Sequence, residues 1–179
     1  MQIQGKNIIV TGGSLGIGKE TAKALVEKGA NVLITGRSEE RLLKAKLYCN
    51  AETIEFDIAD FDNIPKFAKE CLSILENRVD VLINNAGIGV RSSIEDLNID
   101  DFQKVFNVNV FGLSLFTKEI VPLMKENKSG TIINIGSTAS LKGYQTGSIY
   151  SASKFAVRCL SQCWQAELRP FNIRVCQVN

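Results

Sequence analysis

Tyr150 and Lys154 are four residues apart in the segment Tyr-Ser-Ala-Ser-Lys. Residues at positions i and i+4 share one face of a helix, so the ammonium of Lys154 can lie near the phenol of Tyr150. A nearby positive charge favours the phenolate, which would make Tyr150 a usable proton donor or acceptor near neutral pH. The chain contains no histidine, so this pair is the leading candidate for acid–base chemistry. Many surface helices contain this spacing by chance, and the elements around it decide its meaning.

The composition is that of one globular domain of 179 residues, with 45% hydrophobic and 22% charged residues. Its net charge of +2, from 21 basic and 19 acidic residues, favours neither a nucleic acid nor a membrane surface as partner. The first residues lack the apolar run of a signal peptide, and no stretch reaches the length of a membrane span. We therefore expect a single domain over residues 1–179, located in the cytoplasm.

The five cysteines are odd in number, and their spacing includes no Cys-x-x-Cys pair. This pattern argues against a disulfide framework and favours a reducing compartment. Because histidine is absent, we expect no zinc site and no other metal. Cys159 and Cys163 could face each other on a helix, but we interpret the cysteines as small buried hydrophobic residues.

Short apolar runs of strand length alternate with segments of helical periodicity. The predicted strands cover residues 7–11, 31–35, 53–56, 79–83, 130–135 and 173–178. The predicted helices cover 16–28, 38–46, 60–76, 99–126 and 149–168, with Pro65 near the start of the third and Gly112 and Pro122 as residues that can bend the fourth. This alternation predicts an α/β fold with a doubly wound parallel sheet and a ligand at the carboxyl ends of its strands.

A glycine-rich turn follows the first predicted strand and reads Gly-Gly-Ser-Leu-Gly-Ile-Gly. Glycines permit a tight turn and the close approach of a pyrophosphate, while the next helix offers free N–H groups at its N-terminus. The alternative is a glycine-rich turn without a ligand, but its position in the first strand–helix unit favours dinucleotide binding. The predicted cofactor contacts in this turn are Gly12, Ser14, Leu15, Gly16, Ile17 and Gly18.

The end of the second predicted strand bears on the choice of cofactor. A dinucleotide fold specific for NAD usually has an acidic residue here, which accepts a hydrogen bond from the ribose 2′-hydroxyl. This chain has Arg37 and Ser38 instead, and both could hold a 2′-phosphate. Arg37 could alternatively be a solvated loop charge, and the nearby Glu39 and Glu40 could simply complement a helix dipole. We favour NADP(H) over NAD(H).

With these motifs in hand, the sequence resembles the classical short-chain dehydrogenase/reductase family, whose members have a Rossmann fold. The resemblance extends over the whole chain. The glycine turn has the family spacing, with Leu15 where the extended group, which includes sugar epimerases, has glycine. The segment Asn-Asn-Ala-Gly at 84–87 matches a family motif beside the adenosine ribose, and Asp-Ile at 57–58 matches the segment that contacts adenine. The resemblance implies further cofactor contacts at Asp57, Ile58, Asn85, Ala86, Gly87, Tyr150 and Lys154.

The resemblance also implies a complete catalytic set. Asn109 matches the family's catalytic asparagine, and Ser137, thirteen positions before Tyr150, matches its catalytic serine. The implied activity is that of an NADP(H)-dependent oxidoreductase interconverting a carbonyl and a secondary alcohol, with Tyr150 as general acid or base. By the same resemblance, Lys154 supports the phenolate and binds the nicotinamide ribose, Ser137 donates to the carbonyl oxygen, and Asn109 holds a water that links Lys154 to solvent.

Each of these four residues also has a structural interpretation. Tyr150 could be a half-buried aromatic residue, Lys154 a solvated helix charge, and Ser137 a helix or turn cap. Asn109 could be a polar residue inside a helix, where asparagine usually needs a local hydrogen-bond partner.

The sequence stops at Asn179, directly after the sixth predicted strand. Family members usually continue with a substrate-covering loop and helix and a seventh strand, so we expect these parts to be absent here. The alternative function is therefore a nucleotide-binding but catalytically incompetent fragment, or an interaction protein.

The family often forms dimers and tetramers through its two long helices, which implies a homodimer or homotetramer acting on a small-molecule carbonyl or alcohol. We interpret the large aromatic residues of these helices as core rather than interface: Phe102, Phe106, Phe111, Phe116, Phe155 and Trp164.

Overall fold

Six parallel strands form one sheet at the centre of the molecule. A computed structural model describes residues 2–179. The strands are β1 (Asn7–Thr11), β2 (Asn31–Gly36), β3 (Glu52–Glu55), β4 (Val81–Asn84), β5 (Gly130–Ile135) and β6 (Ile173–Val178). Their order across the sheet is β3-β2-β1-β4-β5-β6, and every neighbouring pair is parallel. The residues of β1 and β4 are all buried, which explains why these strands are continuous apolar runs in the sequence.

The connections between successive strands contain the helices that cover the sheet. They are α1 (Gly16–Glu27), α2 (Glu39–Cys49), α3 (Ile64–Ile74), α4 (Ile99–Phe106), α5 (Leu113–Glu126) and α6 (Ser148–Leu168). Ser38 caps the N-terminus of α2, because its hydroxyl accepts a hydrogen bond from the backbone N–H of Arg41 at 3.4 Å. Within residues 2–179, every helix is too short or too polar to span a bilayer.

Two hydrophobic clusters lie on opposite faces of the sheet, because neighbouring residues of a strand point in opposite directions. Ile8 of β1 packs with Ala22 of α1 and Leu42 of α2. The next residue, Ile9, belongs to the other cluster, with Phe67 of α3 and Phe116 of α5. This arrangement confirms the predicted doubly wound α/β sheet.

The strand order reverses direction at the centre of the sheet, between β1 and β4. From β1 the chain first builds outward to β2 and β3, and then crosses back to add β4, β5 and β6. The helices that follow β1 and β4 therefore pack on opposite faces of the sheet, which leaves a crevice at the carboxyl ends of these two strands. This crevice positions the candidate site.

The helix predicted over residues 99–126 is not continuous. A π-helical segment, Asn107–Gly112, separates α4 from α5. Such segments are rare and frequently lie at functional sites. Here the segment buries Val108, Asn109 and Val110, and the side-chain partners of Asn109 come from distant parts of the chain. Helical periodicity alone could not reveal the interruption.

Two interpretations of buried side chains need correction. Cys49 and Cys71 are buried, but Cys159 and Cys163 are exposed on α6 and Cys176 is only partly buried. The assignment of the large aromatic residues to the core is correct for Phe116, which is fully buried, whereas Phe111 and Phe155 are 48% and 42% exposed. Phe102, Phe106 and Trp164 are partly buried. The exposed residues of the helical segments, Cys159, Cys163, Phe111 and Phe155, face outward because each helix is covered on one side only.

Candidate active site

Two cavities lie side by side at the carboxyl ends of the strands. The Tyr150 cavity has a volume of about 410 Å³ and includes Tyr150 and Lys154 in its wall. The Arg37 cavity has a volume of about 210 Å³ and includes Gly12 and Arg37. Gly87 and Ile88, which follow β4, line both cavities. A ligand with two chemically different ends can therefore extend from one cavity into the other.

Most residues predicted to contact the cofactor line one of these cavities. Gly16 and Gly18 line neither. Five line the Tyr150 cavity: Ile17, Asn85, Gly87, Tyr150 and Lys154. Nine line the Arg37 cavity: Gly12, Ser14, Leu15, Arg37, Ser38, Asp57, Ile58, Ala86 and Gly87.

The glycine turn after β1 is clamped against the loop after β4. Gly12 has φ +66°, and a Cβ atom on it would lie 2.8 Å from the Cα of Ala86, so no larger residue fits. The side-chain amide of Asn85 donates to the carbonyl oxygens of Thr11 and Gly12, both at 2.9 Å. The Thr11 hydroxyl accepts from the backbone N–H groups of Asn85 and Ala86, both at 3.1 Å. Sequence reasoning missed Thr11, which is visible only as a polar residue ending an apolar strand.

The N-terminus of α1 has the features of an anion-binding site. Its N-cap residue, Leu15, makes no side-chain capping bond, and the first turn contains no acidic residue. By contrast, α2 is capped by Ser38 and has Glu39 and Glu40 in its first turn. The first N–H groups of α1 thus keep a free donor capacity and a positive dipole end beside the Arg37 cavity. The residues present fit a pyrophosphate group at this turn.

The far wall of the Arg37 cavity carries two guanidinium groups. Arg37 lies 3.7 Å from the carboxylate of Asp57, and both side chains are about half exposed. Arg41, one helical turn along, also lines the cavity and was not predicted from the sequence. Its place in the first turn of α2, three residues after the N-cap Ser38, is the signal that could have identified it.

Lys154 is the buried charge of the Tyr150 cavity. It is only 5% exposed, and its Nζ donates to the carbonyl oxygen of Ile135 at 2.7 Å. Nζ also lies 5.8 Å from the centre of the Tyr150 ring, so the two side chains share one face of α6. Burial lowers the pKa of the Lys154 ammonium from 10.5 to about 8. Lys154 is therefore mostly charged at neutral pH and loses its proton in mildly alkaline solution.

Asn109 lines neither cavity, although its side chain contacts Ser153, the neighbour of Lys154 on α6. Its Nδ2 donates to the carbonyl oxygen of Ile88 at 2.9 Å and to the Ser153 hydroxyl at 3.0 Å. Its Oδ1 accepts from the backbone N–H of Ile88 at 2.8 Å. Both amide hydrogens are thus used within the protein. Asn109 connects the π-helical segment, the loop after β4 and α6, and the Ser153 contact was not predicted.

Ser137 caps a turn, which is the structural interpretation given above, and its hydroxyl hydrogen is also free to be donated. Its hydroxyl accepts a hydrogen bond from the backbone N–H of Ala139 at 3.1 Å, and it caps the 3₁₀ turn Thr138–Ser140. The hydroxyl also takes part in a capping box with Ser140, but within residues 2–179 it donates to no protein atom, so its own hydrogen remains available for donation. Ser137 stands just outside the Tyr150 cavity, whose wall includes the preceding Ile135 and Gly136.

A metal site is not evident in the described part of the chain. Across residues 2–179, no three histidine, cysteine, aspartate or glutamate side chains converge closely enough to hold an ion.

The parallel sheet, the clamped glycine turn and the uncapped helix define a dinucleotide-binding protein of the Rossmann type. The family model described as short chain dehydrogenase matches residues 6–179, and the chain belongs to that family.

Curated relatives resemble almost the whole of this chain. Dehydrogenase/reductase SDR family member 7B from Xenopus laevis is 35% identical over 188 residues, which cover 99% of this chain and 58% of the relative. The 3-ketodihydrosphingosine reductase of Bos taurus is 31% identical, covering 98% of this chain and 55% of the relative. The chain thus spans somewhat more than half the length of these relatives.

Solved structures of similar fold bind either nicotinamide cofactor. A metagenomic short-chain oxidoreductase in complex with NADP has a TM-score of 0.93 and 32% identity, covering 99% of this chain and 82% of that one. An NAD+-bound xylitol dehydrogenase has a TM-score of 0.92 and 29% identity, covering 99% of this chain and 70% of that one.

Proposed function

We propose that this protein is an NADP(H)-dependent oxidoreductase that interconverts a carbonyl and a secondary alcohol. The observation that carries the proposal is the adjacency of the two cavities, which share Gly87 and Ile88. One cavity suits the adenosine end of a dinucleotide, and the other presents Tyr150 and Lys154 where the nicotinamide end would lie. The nicotinamide, when bound, supplies or accepts the hydride.

The chain's own residues account for the proton and for the charge that develops on the substrate oxygen. Tyr150 gives its proton to the alkoxide as the carbonyl is reduced, and takes it back in the reverse direction. The ammonium of Lys154 stabilises the phenolate that remains. The free hydroxyl hydrogen of Ser137 is directed to the carbonyl oxygen. We further propose that Asn109 holds a water that links Lys154 to solvent, as the family resemblance implies, although both hydrogens of its side-chain amide are used within the protein.

The proposed activity is tested by following NADPH consumption by the purified protein over ketones, aldehydes and sugars. Turnover of at least one carbonyl class is expected. Tight binding of NADPH with no turnover across the panel would instead support the nucleotide-binding alternative.

The preference for NADP(H) rests on the basic wall of the Arg37 cavity. Arg37 and Arg41 bring two positive charges against the single carboxylate of Asp57, and β2 ends without an acidic residue to accept from a ribose 2′-hydroxyl. A bound 2′-phosphate can attract the Arg37 guanidinium away from its exposed ion pair with Asp57, because such pairs contribute little in water.

Replacing Arg37 by glutamine should lower kcat/KM for NADPH by about 10- to 100-fold, the equivalent of roughly 1.5–3 kcal/mol for a lost charged hydrogen bond. The value for NADH should change much less, since NADH lacks the phosphate. Lys44→Gln is the matched control, because Lys44 is an exposed cation on α2 paired with Glu40 outside both cavities. Equal losses with both cofactors would contradict the assignment of Arg37 to the 2′-phosphate.

We also propose that copies of the chain associate through α5 and α6 into a homodimer or homotetramer. The exposed Phe155 on α6 and the exposed Phe111 beside α5 support this proposal, since association would cover apolar surface. Light scattering coupled to size exclusion should give two or four times the chain mass, and a strictly monomeric protein would contradict it. The cytoplasmic location stays a prediction.

A further inference from the structure

The wall of the Tyr150 cavity carries two cations and no carboxylate. The cations are Lys154 and Arg91, and no aspartate or glutamate is among the lining residues. Lys154 already donates to the Ile135 carbonyl. Arg91 forms no ion pair within residues 2–179, so its charge is uncompensated by the protein. An uncompensated guanidinium in a concave site favours an anionic ligand group.

Arg91 belongs to a loop that is held in place on both sides. Ile88 is fixed by its two hydrogen bonds with Asn109, at 2.8 and 2.9 Å. Ser92 donates its backbone N–H to the carbonyl oxygen of Thr146 at 3.0 Å. Between these anchors the loop passes directly over Tyr150, since a Cβ on Gly89 would lie 3.2 Å from Cδ2 of the ring.

This anchoring gives the backbone of Arg91 a defined place relative to the proposed proton donor. The backbone of Arg91 is adjacent to the anchored Ser92, so only its side chain remains free to move. A guanidinium offers a planar pair of donors that matches the oxygens of a carboxylate or phosphate. The remaining wall is largely apolar, from Ile17, Ile88, Val90 and Ile135.

We propose that Arg91 is a specificity-determining residue that binds an anionic group, carboxylate or phosphate, on the substrate whose carbonyl faces Tyr150. The substrate class is thus a carbonyl compound with an apolar body and one anionic end. This inference rests on the proposed oxidoreductase function. The phosphates of the cofactor have their own site at the glycine turn, whose Gly12, Ser14 and Leu15 line the neighbouring cavity.

The test compares charged substrates with neutral partners of similar shape. One pair is levulinate and its amide, and the other is the phosphate ester of a keto alcohol and the parent keto alcohol. With saturating NADPH, Arg91→Gln should lower the charged-to-neutral ratio of kcat/KM by about 10- to 100-fold, mainly through KM. Arg91→Lys should recover part of the ratio, because lysine keeps the positive charge but lacks the planar pair of N–H donors of the guanidinium. The pair with the larger ratio identifies carboxylate or phosphate as the preferred group.

Lys142→Gln is the matched control, because Lys142 is an exposed cation that lines neither cavity. An unchanged ratio in Arg91→Gln would overturn the inference. A rise in KM for NADPH alone would also overturn it, since Arg91 would then be a cofactor residue.

A binding measurement separates failure of this inference from failure of the proposed function. Calorimetry of the protein with NADP and the hydroxy acid derived from levulinate, against its amide, requires no turnover. Tighter binding of the acid that is lost in Arg91→Gln supports the anionic subsite even if no carbonyl is reduced. Equal binding of acid and amide by the unmodified protein, together with equal binding of the phosphate ester and its parent keto alcohol, would reject it.

Discussion

Replacing Tyr150 by phenylalanine should lower kcat for carbonyl reduction by about 10²- to 10⁴-fold, the usual contribution of a general acid. The phenol is the proton donor in the proposed reaction, and the chain has no histidine that could substitute for it. The aromatic ring remains in the variant, so the affinity for NADPH should change little. Stopped-flow measurement of NADPH oxidation, with a separate fluorescence titration of cofactor binding, distinguishes loss of chemistry from loss of the cofactor.

The other two tyrosines provide controls for the loss of a hydroxyl. Tyr48 lies on α2, donates to Glu20 at 2.9 Å and lines neither cavity, so Tyr48→Phe should turn over normally. Tyr144 lines the Tyr150 cavity and is 45% exposed. Tyr144→Phe therefore tests whether the other phenol in this cavity could act as the proton donor. Full turnover by Tyr150→Phe, or an equal loss in Tyr144→Phe, would contradict the assignment.

Replacing Lys154 by methionine should remove a pH dependence from the free energy of unfolding. The folded protein holds this lysine with a pKa of about 8, whereas the ordinary pKa of a lysine is 10.5. Between these values the unfolded chain keeps the proton that the folded chain has released, so stability rises with pH across this window. Below about pH 8 the folded state must keep a desolvated ammonium, and the stabilisation gained at higher pH is lost. The natural protein should therefore gain about 2–3 kcal/mol relative to Lys154→Met between about pH 7 and pH 10.

Urea unfolding of both proteins at the two pH values gives this difference directly. The Ile135 carbonyl loses its donor in the variant, but that cost is independent of pH and cancels in the comparison. Lys66→Met, which changes an exposed lysine of α3, should retain the pH dependence of the natural protein. A difference between the natural protein and Lys154→Met that stays flat or falls as pH rises would refute the prediction.

The same charge links stability to the proposed activity. A buried ammonium weakens the fold at neutral pH, yet the phenolate of Tyr150 needs a nearby cation. Lys154→Met should consequently lose turnover at the pH where it is relatively most stable. Active sites commonly show this conflict between stability and function.

The strands and helices were largely predictable because their signals are local. The residues of β1 and β4 are buried on both faces. Such strands are short apolar runs that can be recognised without knowing which residues pack against them. Gly12 and Ser38 mark a turn and a helix cap through their own backbone and side-chain chemistry. The spacing of Tyr150 and Lys154 likewise needs only one helix to bring them together.

Contacts between distant segments were not predictable in the same way. The π-helical segment and the partners of Asn109 depend on Ile88 and Ser153, which are 21 and 44 positions away in the chain. Arg91 was invisible as a site residue because only the loop over Tyr150 carries it to the cavity wall. The exposure of Cys159 and Cys163 follows from which face of α6 the sheet covers.

The Tyr150 and Lys154 pair shows what the sequence alone determines and what requires the tertiary structure. The amino-acid sequence by itself determined that a phenol and an ammonium share a helix face in a dinucleotide-binding fold, since periodicity and turn chemistry act over a few residues. Only the tertiary structure decided that the ammonium is buried against the Ile135 carbonyl. It also decided that the cavity wall bears a second cation, which forms no ion pair within residues 2–179. Burial and electrostatic environment depend on every segment that packs around a group, and no local pattern contains them.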